Sequence, residues 1–111
     1  MENVLKSVLI EELERNRKKQ ELYAKELENY PKGSLSVVMV HGDKYLYRKM
    51  RIKNKVVGEY IGPLKSEVAN KAYEQRVKYL KIKQDLKDLK EEEKVLMKAI
   101  KGYDQIWRKD T

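Results

Sequence analysis

Tyr45, Tyr47, Lys49 and Arg51 stand at every second position of one apolar run, and Tyr60 follows in the next. Alternate residues of a strand share a face, so this spacing predicts a surface on which tyrosines and strong bases sit together. Aromatic rings stack on nucleobases while Lys and Arg hold phosphates, which gives the surface the parts of a nucleic-acid contact. Lys53 and Lys55, beside the intervening turn, extend it. Tyrosine and valine also suit an ordinary exposed sheet, and edge lysines discourage aggregation, so face composition alone fits either reading. The charge distribution favours binding. Residues 31–66 carry 8 basic against 2 acidic side chains, whereas residues 1–30 carry 6 against 7 and residues 67–111 carry 12 against 9. The whole chain has a formal charge of +8.

Other chemistry lacks its parts. With no cysteine there is no disulfide, thiolate metal site or cysteine nucleophile, and a single histidine, His41, cannot supply a multi-histidine zinc site. His41 adjoins a turn with no second ligand nearby and reads as an exposed turn residue. Glu91-Glu92-Glu93 reads as a solvated helical run, because consecutive helical residues point in different directions. Ser34 and Ser36 have no base beside them, and no glycine stretch ends in the Gly-Lys-Ser/Thr of a phosphate loop. The expectation is a non-enzymatic binding protein with no cofactor, metal or small-molecule substrate. The longest run without Asp, Glu, Lys, Arg or His, Gly33 to Val40, is far below the ~20 residues of a spanning helix. Glu2, Lys6, Glu11 and Glu12 spoil the order of a signal peptide, so a cytoplasmic location is expected.

The elements that must position this face follow from periodicity. Leu9, Leu13, Asn16, Gln20, Tyr23, Leu27 and Tyr30 fall at alternating steps of four and three, predicting a helix over 3–29 that Pro31 stops. Val68, Ala72, Gln75, Tyr79, Ile82, Leu86, Leu89, Glu93, Leu96, Ile100, Tyr103 and Trp107 continue the same alternation. This predicts a second helix over 66–101, N-capped by Ser66, with Gly102 either ending it or letting it run on to Trp107. Between them the period changes to two. Strands are expected at 35–41, 44–52 and 55–61, joined by two-residue turns at Gly42-Asp43 and Lys53-Asn54, the latter with a longer Lys53-Asn54-Lys55 loop as alternative.

The resulting fold is α+β: one domain over 1–111, with two long antiparallel, coiled-coil-like helices flanking a three-stranded antiparallel β-meander over 34–62 that caps one end. The turns set Leu46 opposite Met39 and Ile61, Arg48 opposite Val37 and Glu59, and Met50 opposite Leu35 and Val57. This face should pack on the helices. At 1.5 Å per residue the helices span roughly 40 and 60 Å, which leaves the last third of the second without a partner in the chain. Its Leu96, Met97, Ile100, Tyr103, Ile106 and Trp107 are therefore expected to form a homodimer contact.

The stretches Tyr30-Pro31-Lys32-Gly33-Ser34-Leu35, Lys44-Tyr45-Leu46-Tyr47-Arg48, Lys55-Val56-Val57 and Tyr60-Ile61-Gly62 carry a resemblance. The chain resembles a group of small bacterial and phage proteins with a Pro-Lys-Gly-Ser-Leu opening and a Tyr-Ile-Gly close before a long Lys/Glu-rich helix. That resemblance implies the fold and no activity. The meander is also similar, more weakly, to the three-stranded DNA-binding domains at the N-termini of tyrosine recombinases and the front ends of some transposases. This implies a DNA-binding role for Tyr45, Tyr47, Lys49, Arg51 and Tyr60, without the catalytic domain of those enzymes. Two functions follow as expectations: a nucleic-acid-binding accessory protein of a mobile element or phage, or a helical oligomerisation or adaptor module for a protein partner. Membrane-surface binding ranks below both, because the helix stripes are narrow and flanked by Lys and Glu.

Overall fold

A computed structural model describes residues 4–109 of the chain, with side chains through residue 105. It shows two helices and a three-stranded antiparallel sheet, in the order α1 (Val4–Leu27), β1 (Ser34–Val40), β2 (Asp43–Ile52), β3 (Lys55–Pro63) and α2 (Glu67–Lys109). The helices hold 24 and 43 residues, more than half of the 111. Gly102 does not end α2. The chain divides into two compact units, one of residues 28–81 and one of α1 with the chain from residue 82 onward. No helix among the described residues is long and apolar enough to cross a membrane.

In the sheet unit both hairpins turn on pairs of residues with positive φ, as tight hairpins require. The first turn is His41-Gly42, with φ of 51° and 84°, and not the expected Gly42-Asp43. Glycine takes the second left-handed position and Asp43 starts β2. The β1–β2 register therefore differs by two residues from the expected one: Leu46 pairs with Val37 and Arg48 with Leu35. A slip of two leaves every side chain on its expected face. The second turn is Lys53-Asn54, φ 49° and 65°, and it sets Met50 opposite Val57 and Arg48 opposite Glu59 as expected. The expected Leu46–Ile61 pair does not form. A bulge interrupts the β2–β3 ladder between Leu46 and Tyr47, so that Leu46 meets Gly62 and Ile61 is the extra residue.

One sheet face is covered by the first turns of α2. Ser66 caps this helix, its hydroxyl oxygen accepting from the Ala69 N–H at 3.2 Å while the hydroxyl donates to the Pro63 carbonyl at 2.7 Å. Leu46, fully buried, packs with Ala69 and Ala72, and Leu35, Ile61 and Leu64 close around them. The small alanines let the helix sit close to the strand, which turns Ala69 and Ala72 inward and leaves Val68 and Gln75 of the expected stripe exposed. Arg76 donates to the Gly33 carbonyl, tying α2 to the start of β1. Arg48 and Glu59 approach to 3.8 Å across the strands.

In the helix unit the stripe of α1 is legible as expected. Leu13 and Asn16 are buried, and Leu9, Gln20, Tyr23 and Leu27 are half-buried. Lys6 pairs with Asp104, Asn16 donates to the Leu89 carbonyl at 2.8 Å, and Arg17 pairs with Glu93 at 2.8 Å. The partner of Lys6 lies farther along α2 than those of Asn16 and Arg17, as in an antiparallel helix pair. Glu93, read as part of a solvated run, instead faces α1, where hydrogen bonds from Arg17 and then Gln20 hold its carboxyl below the usual value.

These pairs also correct the expected overhang. The residues of α2 up to Lys81 belong to the sheet unit, so α1 lies alongside the distal part of α2 and reaches Asp104. About 15 residues at 1.5 Å each displace the helix pairing by roughly 22 Å, which absorbs the length difference. Leu96, Ile100 and Tyr103 are half-buried in that unit and Met97 is exposed, with its sulfur 3.8 Å from Arg17. The side chains of Ile106 and Trp107 lie outside the described residues.

Candidate nucleic-acid interface

β2 carries most of the site. Its tyrosines and bases alternate with the residues that pack under α2, so burying Leu46 turns Tyr45, Tyr47, Lys49 and Arg51 to the opposite face. The two-residue Lys53-Asn54 turn fixes Tyr60 directly across from Tyr47. Their ring centroids lie 5.4 Å apart with planes at 65°, an edge-to-face contact. Tyr60 also approaches Tyr45, with centroids 6.1 Å apart and planes at 53°. Tyr60 thus joins the other two rings into one cluster. Tyr45 and Tyr47 are half-buried, whereas Tyr60 remains 53% exposed. Of the three, Tyr60 offers the most free ring surface.

The bases follow along the same hairpin. β1 ends its pairing at Ser34 opposite Lys49, and beyond it β2 and β3 continue as a two-stranded ribbon to the turn. Lys49, Arg51, Lys53 and Lys55 are all exposed there, and among the described residues none of them is in an ion pair. Successive same-face residues of a strand are about 6.8 Å apart, so the tyrosine cluster grades into a line of cations within a few residues. The positive charge of this segment is therefore free to meet an external anion. Arg48 is the exception, because it lies on the covered face beside Glu59.

Gly58 was not among the residues singled out by sequence. It sits opposite Lys49, and a side chain begun there would come within 3.9 Å of the Tyr47 ring. The bare position leaves room between the aromatic cluster and the bases. That distance is ordinary van der Waals contact, so the position is open and does not itself require glycine.

The remaining chemistry is sparse. His41 is exposed in the first turn, and among the described residues no three His, Cys, Asp or Glu side chains gather as metal ligands would. What the site offers chemically is exposed aromatic surface beside exposed cations. Compared with protein-family models, with curated proteins and with solved structures, the chain matches none.

Proposed function

We propose that this chain is a non-enzymatic nucleic-acid-binding accessory protein, of the kind a mobile element or phage employs, acting through the tyrosine-rich basic face of its sheet. The observation that carries this reading is the junction of the Tyr45–Tyr60–Tyr47 cluster with four exposed bases free of carboxylate partners. Stacking supplies sequence-tolerant contact and the cations supply phosphate affinity, so binding is weak with little sequence preference. Beyond residue 81 the stripe of α2 and that of α1 act as a coiled-coil-like pair. Fluorescence anisotropy of labelled oligonucleotides over a series of salt concentrations tests the reading. Roughly four phosphate contacts give a log-log slope of about −3 to −4 on duplex DNA. A slope near zero, or no binding at low salt, would reject it.

A second reading is supported by the exposed apolar side chains of the helix unit, Val8, Leu22, Val95 and Met97 among them. In it the chain is a helical oligomerisation or adaptor module whose partner is a protein, and the sheet is structural.

A further inference from the structure

The two edges of the sheet are built differently. β3 carries Lys55, Glu59, a bulge and Pro63, all features that discourage another strand from adding to it. β1, Ser-Leu-Ser-Val-Val-Met-Val, has no charge, no proline and no bulge, in a chain where 40% of residues are charged. It pairs with β2 in unbroken register over all seven residues. Among the described residues no hydrogen bond reaches β1 from outside the sheet; the nearest is Arg76 on Gly33, just before it. On the face that α2 packs against, Val37 and Met39 remain 45% and 63% exposed. The cover that protects Leu46 does not extend to them.

We infer that β1 is a strand-pairing edge whose occupant is a second copy of this chain, added antiparallel about a two-fold axis at Val37. Three features favour a copy over a foreign strand. Centring the axis on Val37, the middle of β1, pairs all seven residues, with Leu35 facing the second copy's Met39 and Val37 facing Val37. Every cross-strand pair is then uncharged, and those on the helix-covered face are apolar. The antiparallel sense also sends the two Lys53-Asn54 tips to opposite ends, which keeps the most basic parts of the copies apart. A parallel arrangement would bring those charges together. Finally, an isologous contact is closed, so an edge this unprotected is consumed in a dimer and does not propagate into fibres. Paired residues of adjacent strands point the same way, so the six-stranded sheet would present both tyrosine clusters on one side. The inference stands independently of what those clusters bind.

Sedimentation velocity of the full chain tests it, from about 10 µM to about 1 mM, the range in which a small interface associates. The mass should rise from 13.3 kDa toward twice that value. Val37→Lys sets two like charges against each other on the axis and should hold the mass at 13.3 kDa throughout, with an unchanged circular dichroism spectrum, because Val37 is half exposed in the single chain. Met97→Asp, at an exposed position of α2, should leave the association intact. As a second measure, the chain has no cysteine, so Val37→Cys treated with a short bifunctional thiol crosslinker should give a covalent dimer at least tenfold faster than Val56→Cys on β3. A monomer at 1 mM, a dimer that survives Val37→Lys, or equal crosslinking at the two positions would overturn the inference.

Discussion

Tyr60 stands directly opposite Tyr47 on the β2–β3 ladder and meets it edge to face, with ring centroids 5.4 Å apart. The contact divides labour between two similar side chains. Tyr47, half-buried, is held by its neighbours, while Tyr60 leaves about half of its surface open to solvent.

Tyr60→Ala should therefore weaken single-stranded oligonucleotide binding by about 1–3 kcal/mol, the range for one stacked base, and duplex binding by less. Its cost in stability should be smaller, about 0.5–1.5 kcal/mol for the lost ring contact plus a modest burial loss. Anisotropy titrations with single and double strands, beside a urea melt, separate the two. Equal losses on both substrates would remove stacking from the account.

Gly33 and Gly102 should respond to alanine with opposite signs. At Gly33, φ is +103° and an added Cβ would stand 2.5 Å from the Lys49 carbonyl oxygen and 2.7 Å from Met50 Cγ. Alanine there forces the start of β1 away from β2 and should cost more than about 1 kcal/mol. Gly102 lies inside α2 with nothing within 4 Å of such a Cβ, so Gly102→Ala should stabilise by about 0.5–1 kcal/mol. Urea midpoints decide both.

Asn16 is 2% exposed, donates to the Leu89 carbonyl and accepts from Gln20 at 2.6 Å. Asn16→Ala leaves Leu89 and Gln20 short of a partner and should destabilise by about 1–3 kcal/mol. Replacing Asn16 and Gln20 together by leucine should restore much of this stability but loosen the helix register, as loss of a buried Asn does in coiled coils. Broadened helix-unit NMR signals in the double variant would report it.

Acid should weaken the helix unit through Glu93. Its carboxyl is held below the usual 4.5 by hydrogen bonds from Arg17 and Gln20. A lowered folded pKa means that the stabilisation is complete above about pH 4.5 and is lost as pH falls through the folded value. Glu93→Gln should flatten the pH dependence of the urea midpoint in that window. An unaltered dependence would show that other carboxylates carry it.

Much of this architecture is legible in the sequence because its signals are local. The α1 stripe, the Ser66 cap and the Lys53-Asn54 turn each depend on residues a few positions apart. What periodicity misses depends on contacts distant in sequence. Ala69 is chosen as an inward residue by the closeness of Leu46, and no heptad count shows that. The bulge that makes Ile61 an extra residue changes no composition. The expected overhang of α2 failed because the span that packs on the sheet shifts where α1 meets it. The alternation of Tyr45, Tyr47, Lys49 and Arg51 was readable, but the ring cluster required the register that brings Tyr60 across.

The most direct test of the nucleic-acid reading compares two charge reversals of equal size in low-salt anisotropy titrations. Lys49→Glu with Arg51→Glu removes two bases from the ribbon, and Lys78→Glu with Lys81→Glu removes two exposed bases from α2. Losing two phosphate contacts and placing two carboxylates in their stead should abolish measurable binding for the ribbon pair, with the fold intact. The α2 pair should retain most of the affinity. Equal losses from the two pairs would contradict the account, because binding would then follow net charge and not the sheet face.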